Sequence, residues 1–224
     1  MKQDNNQEAF FALLRAGLLE KDVRLSDIGE IDFAEVYRLA QEQSVAGLIA
    51  AGLEHVVDVK VPQSLALTIA GEVLQLEQRN KAMNQFVVET IGKLRRAGIY
   101  TLIVKGQGVA QCYERPLWRA CGDVDFFLNE DNFVKMRELL RPYVEGFDPD
   151  DDNARNISAT FEGWPIELHT NQDTALSKRI DDELKNVRDD IFCGGNVRTW
   201  ENGNTTVYLP SVGNDVIIVL KFRK

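Results

Sequence analysis

The stretch Arg119-Ala120-Cys121-Gly122-Asp123-Val124-Asp125-Phe126-Phe127-Leu128 decides how this chain is read. Two aspartates, two positions apart, open an apolar run just after a glycine. Side chains on a strand alternate between faces, so if Val124 and Phe126 point into a core, Asp123 and Asp125 share the opposite face. Carboxylates held side by side repel each other, and a divalent cation relieves that repulsion. Magnesium suits such oxygen-rich places, commonly taking one or two carboxylates together with substrate phosphates. An edge strand with a wetted face is the plainer reading of the same pair, and Asp-x-Asp alone does not choose between the two.

The neighbouring sequence favours the metal. Upstream, Tyr100-Thr-Leu-Ile-Val-Lys105-Gly106-Gln107-Gly108 is an apolar strand running into a glycine turn, and Val109, Ala110 and Tyr113 continue at helical spacing. Such a junction presents backbone N–H groups to phosphate, and Lys105 adds a cation, either for phosphate or for an ion pair with the aspartates. Its spacing fits neither a P-loop nor a dinucleotide-binding G-x-G-x-x-G. Downstream, Asn156–Phe161 and Trp164–Thr170 flank Glu162-Gly163 and predict a hairpin. In its second strand Ile166 and Leu168 alternate with Glu167 and His169, offering a third carboxylate on one face. His169 either sits beside Glu167 at the site or is a satisfied structural histidine.

The ordered set Leu102-Ile-Val-Lys105-Gly106, Tyr113, Arg119, Gly122-Asp123-Val-Asp125-Phe-Phe-Leu128 and Ile166-Glu167-Leu-His169 resembles the nucleotidyltransferase-fold superfamily that includes DNA polymerase β. It looks most like the largely uncharacterised bacterial branch with the pattern Leu-Lys-Gly, Tyr, Arg and Gly-Asp-x-Asp. The resemblance covers roughly residues 98–170. It implies an α+β fold: a small mixed β-sheet flanked by helices, with an N-terminal helical lobe. It also implies two Mg²⁺ ions, with Mn²⁺ an alternative, bridging Asp123, Asp125, Glu167 and a nucleoside triphosphate. Lys105, Gly106, Gln107, Arg119 and His169 become the candidate nucleotide contacts. The wider superfamily usually carries Gly-Ser after its first strand, where this chain has Lys105-Gly106-Gln107; phosphate contact then falls to backbone, Lys105 or Arg119.

Other acidic-pair enzymes fit less well. Haloacid-dehalogenase phosphatases and metal-dependent glycosyltransferases place an apolar strand before the acidic pair, whereas here the apolar run follows it. A metalloprotease lacks support, because there is no His-Glu-x-x-His and the chain holds only His55 and His169. The expected activity is Mg²⁺-dependent transfer of a nucleoside monophosphate to a small-molecule or protein acceptor with release of pyrophosphate. The alternative is a nucleotide- or partner-binding module that keeps the fold without turnover.

With 224 residues, 44% of them hydrophobic and 27% charged, the chain can build a sizeable soluble core. A formal charge of −9 argues against gripping a long polynucleotide, whose affinity comes from neutralised phosphates. Cys112, Cys121 and Cys193 have no metal-ligand spacing. No stretch reaches the roughly 18 apolar residues of a membrane span, and the polar start lacks a signal-peptide core. A cytoplasmic protein is the expectation.

Along the chain, residues 1–97 read as a helical lobe, 98–210 as the nucleotidyltransferase-like core, and 211–224 as the start of a further, truncated helix. Helices are expected over 7–20, after an Asp32 cap, after a Ser44 cap, and from Pro62 to Gly98. The long last one carries Leu65, Leu67, Ile69, Val73, Leu74, Leu76, Phe86, Val87, Ile91 and Leu94 as its apolar set. Asn129 or Asp131 caps another helix, Asp148–Asp152 is a solvated acidic turn, and 176–192 is helical. A hairpin turns at Asn202-Gly203, and Ser211 caps an apolar helix in which the sequence ends.

Overall fold

A computed structural model describes residues 5–143, 156–170 and 177–221, without the side chains of 217 and 219–221. The acidic run at 148–152, Leu176 and the chain end beyond 221 lie outside the described residues. The architecture is α+β, and the chain divides into two compact units, 1–82 with 112–120 and 83–111 with 121–224. No helix among the described residues is long and apolar enough to cross a membrane.

The first unit is helical: α1 (Asn5–Leu19), α2 (Phe33–Glu42), α3 (Ala46–Glu54) and the first part of α4 (Gln63–Arg96). The Asp32 carboxylate caps α2, accepting from the Ala34 and Glu35 backbone N–H groups at 3.0 and 3.2 Å. Phe10, Leu13, Val36, Tyr37, Ile49, Ile69 and Val73 form its core. Helices α1 and α3 approach through glycines, since a Cβ on Gly17 would stand 1.9 Å from the Leu48 carbonyl oxygen. Ser44 does not cap α3. It has a φ of 57°, and Val45 N–H reaches back to the Ala40 carbonyl, so the turn closes the end of α2 and leaves α3 without a side-chain cap. Leu67 and Leu74 are exposed rather than apolar-face residues, because only one stripe of so long a helix meets this core. Within residues 112–120, Arg115 pairs with Glu20 and Glu54 and lies 4.4 Å from the Trp118 ring centroid.

The second unit holds the sheet. Strands β1 (Leu102–Val104), β2 (Val124–Phe127), β3 (Asn156–Phe161) and β4 (Trp164–His169) lie in the order β1-β2-β4-β3. The β1–β2 and β3–β4 pairs are antiparallel, and β2–β4 is parallel. Between β1 and β2 runs α5 (Lys105–Ala110), which stops before Tyr113. One sheet face presents Ile103, Val124, Phe126, Ile166 and Leu168 to the second part of α4 and to α6 (Glu130–Leu140). On the other face, Leu102, Val104 and Phe127 pack with Ile191 of α7 (Lys178–Phe192) and Ile218 of α8 (Val212–Lys221). All four β2 residues are therefore buried.

Turn chemistry fixes the registers. Glu162 and Gly163 have φ values of 50° and 81°, as a two-residue hairpin loop with both central residues left-handed requires. Gly98 ends α4 with φ 69°, and Asn129 caps α6 by accepting from Asn132 N–H at 3.0 Å. Ser177 and Ser211 accept from N–H groups in the first turns of α7 and α8. The second hairpin, β5 (Val197–Asn202) and β6 (Thr205–Pro210), pairs Asn202 with Thr205. Its loop is thus Gly203-Asn204, one residue later than expected, because Gly203 takes the first left-handed position at φ 59°.

Candidate metal and nucleotide site

The parallel pairing of β2 with β4 builds the site. It sets Asp125 opposite Glu167 and Phe127 opposite His169, so residues 42 to 44 positions apart meet on one sheet face. Asp125, Glu167 and His169 are all buried. His169 Nε2 lies 2.7 Å from Asp125 Oδ1 and 3.3 Å from Glu167 Oε2. One ligand atom from each of the three falls within 4.8 Å of the others. Two carboxylates and an imidazole nitrogen form a donor set that suits a divalent ion of the first transition row and accepts magnesium through its oxygens.

Lys105 is brought to the same place from the end of β1, where Val104 pairs with Asp125. Its Nζ stands 2.7 Å from Asp125 Oδ1, 3.5 Å from Glu167 Oε2 and 3.3 Å from His169 Nε2. The backbone at Lys105 is left-handed, with φ 49°, a conformation that costs energy for any residue with a Cβ. Ser158, the β3 partner of Glu167, donates its hydroxyl to Glu167 Oε1 at 3.2 Å.

Asp123, the residue before β2, is not one of the three within 4.8 Å, but it feels their charge. Burial pushes its carboxyl above the ordinary range, the charges of Asp125 and Glu167 push it further, and Lys105 pulls the other way. Gly106 leaves room beside the acids: a Cβ there would stand 3.3 Å from the Asp123 carbonyl oxygen and 4.0 Å from Asp125 Oδ2. Gln107 is buried, with its amide nitrogen 3.0 Å from Met83 Sδ. Arg119 belongs to the first unit, where its Nη1 donates to the Ala120 carbonyl at 3.3 Å and its own carbonyl accepts from Asn80.

The structure thus gathers Asp125, Glu167, His169 and Lys105, with Asp123 in electrostatic reach. Ser158 was absent from the sequence reading, although a two-residue loop pairing 161 with 164 necessarily pairs 158 with 167.

The profile of a family described as uncharacterised nucleotidyltransferase matches residues 29–211, and the chain belongs to that family. Comparison with curated proteins and with solved structures finds no match.

Proposed function

We propose that this protein transfers a nucleoside monophosphate from a nucleoside triphosphate to a hydroxyl or similar nucleophile on a small-molecule or protein acceptor, releasing pyrophosphate. The observation that carries the reading is the meeting of Asp125 and Glu167 across β2 and β4 with Asp123 nearby, in a chain of nucleotidyltransferase family. Asp123, Asp125 and Glu167 are the proposed holders of Mg²⁺ or Mn²⁺, and His169 joins them through Nε2. Bound divalent ions would supply charge neutralisation for the triphosphate and for the attacking and leaving oxygens.

The chain's own groups do the rest. Glu167, kept in place by Ser158, accepts the proton of the attacking hydroxyl. The bare backbone at Gly106 lets phosphate approach the carboxylates, while Lys105 compensates the charge of the triphosphate. Gln107 serves by packing, its amide turned to Met83. The helical lobe assigned to 1–97 serves substrate or partner contact, and the core assigned to 98–210 carries the catalysis. A net charge of −9 favours a compact acceptor over a long polynucleotide, and a cytoplasmic setting supplies the triphosphates.

One observation favours a second reading. Lys105-Gly106-Gln107 stands where the superfamily usually has Gly-Ser, and the Lys105 ammonium is already paired with Asp125. A binding module without turnover would keep nucleotide affinity and release no pyrophosphate. A screen of nucleoside triphosphates with Mg²⁺ or Mn²⁺, following pyrophosphate and the mass of any acceptor adduct, separates the two. Pyrophosphate with an adduct supports transfer; metal-dependent binding alone supports the module.

A further inference from the structure

The four groups at the end of β1 and across β2 and β4 raise a question of charge. Asp125, Glu167 and His169 offer the donor set for a divalent ion, yet a cation already stands among them. Lys105 Nζ is within 3.5 Å of all three donor atoms. Magnesium binds its oxygens at about 2.0–2.1 Å and demands near-octahedral order. An ion drawing on these three side chains and an ammonium so close to the same atoms repel each other, and both compete for Asp125 Oδ1.

We infer that Lys105 is a built-in placeholder cation, which a divalent ion must displace when it binds at Asp125, Glu167 and His169. The inference rests on the metal reading given above and adds an order of events to it. Two features of the chain fit a movable occupant better than a fixed structural ion pair. The lysine is a point charge on a flexible four-carbon stem, able to leave without disturbing the sheet. Its side chain is a fifth exposed, whereas those of Asp125 and His169 are essentially closed off, so the ammonium has a way out.

The device has two consequences. In the metal-free protein the ammonium keeps the buried carboxylates from facing each other uncompensated, so the sheet does not depend on metal to fold. When the metal arrives, the displaced ammonium becomes available to the polyphosphate, which ties phosphate compensation by Lys105 to the metal-loaded state.

The test is a Mn²⁺ titration of nucleotide-free protein, read from the loss of the free-ion electron paramagnetic resonance signal. Wild type is compared with Lys105→Met and Lys105→Arg, and circular dichroism checks each fold. Lys105→Met removes the charge and should bind Mn²⁺ at least tenfold more tightly than wild type, while Lys105→Arg should bind no more tightly. Equal or weaker binding by Lys105→Met, with wild type still binding, overturns the placeholder role and leaves the metal site standing. Absence of binding in both wild type and Lys105→Met removes the metal site and the placeholder together. Should Lys105→Met not fold, the wild-type Lys105 side-chain resonance decides: it should shift saturably on addition of Mg²⁺. A resonance that stays put while Asp125 responds overturns the inference.

Discussion

Asp125 on β2 and Glu167 on β4 are direct register partners across a parallel strand pair. Parallel neighbours need a long crossover, so this pairing brings together two carboxylates that the sequence holds far apart. Both are buried, and Lys105 brings a positive charge to each. Buried like charges of this kind are costly to a fold and useful to a site that takes up cations.

Asp123 provides the first consequence. Its folded-state affinity for a proton is raised by burial and by Asp125 and Glu167. A group with a raised folded pKa contributes stability that is full below its unfolded value and is lost as pH rises through the folded value. Asp123→Asn should therefore raise the melting temperature of metal-free protein at neutral pH, and the gain should vanish under acid. Solvent screening of a partly exposed group keeps the gain at or below about 1 kcal/mol, roughly 2–4 °C. Thermal unfolding across pH, without metal, checks it; excess Mn²⁺ should stabilise the wild type more than the variant.

As a proposed ligand, His169 bears on the choice of ion. An imidazole nitrogen favours Mn²⁺ over Mg²⁺ more than a third carboxylate would. Calorimetric titration should find Mn²⁺ bound more tightly than Mg²⁺ by wild type. His169→Gln should cost Mn²⁺ about tenfold in affinity and Mg²⁺ less. Equal losses for both ions would make His169 a hydrogen-bond partner of Asp125 instead of a ligand.

Arg198 of β5 ties the second unit together away from Asp125, Glu167 and His169. It pairs with the buried Asp215 of α8 and donates to the Pro210 and Gly108 carbonyls at 2.8 and 3.1 Å. Burial pushes the Asp215 carboxyl up, and Arg198 opposes that. Arg198→Ala leaves a buried carboxylate alone and should cost about 3 kcal/mol at neutral pH, measured by denaturant unfolding. The cost should shrink as pH falls and Asp215 takes up a proton, and the double change with Asp215→Ala should cost less than the two single changes summed.

Much of this framework was legible locally. The glycine after an apolar strand placed the end of β1, and Glu162-Gly163 fixed the hairpin and hence the shared face of Glu167 and His169. Asp32, Asn129 and Ser211 announced their helices by capping chemistry. What stayed hidden was non-local. Alternation put Asp125 opposite Val124 and Phe126, but nothing in β2 itself told that Phe127 on the Asp125 face would be buried by α7 and α8. For Lys105 the sequence allowed either phosphate compensation or an ion pair with the aspartates, and the left-handed backbone that turns it to Asp125 has no local signature. Ser44 misled because a serine between two helices serves either as a cap or as a left-handed stop, and only the hydrogen bond from Val45 to Ala40 tells which.

The claim on which the account depends is that Asp125 holds a catalytic divalent ion. It is tested most directly by comparing wild type with Asp125→Asn in pyrophosphate release from a nucleoside triphosphate, with Mn²⁺ present and with the metal chelated. The account predicts metal-dependent release by wild type and a loss of about a thousandfold or more in the variant, whose fold by circular dichroism is unchanged. Release that continues undiminished in Asp125→Asn, or that is indifferent to chelation, would contradict it.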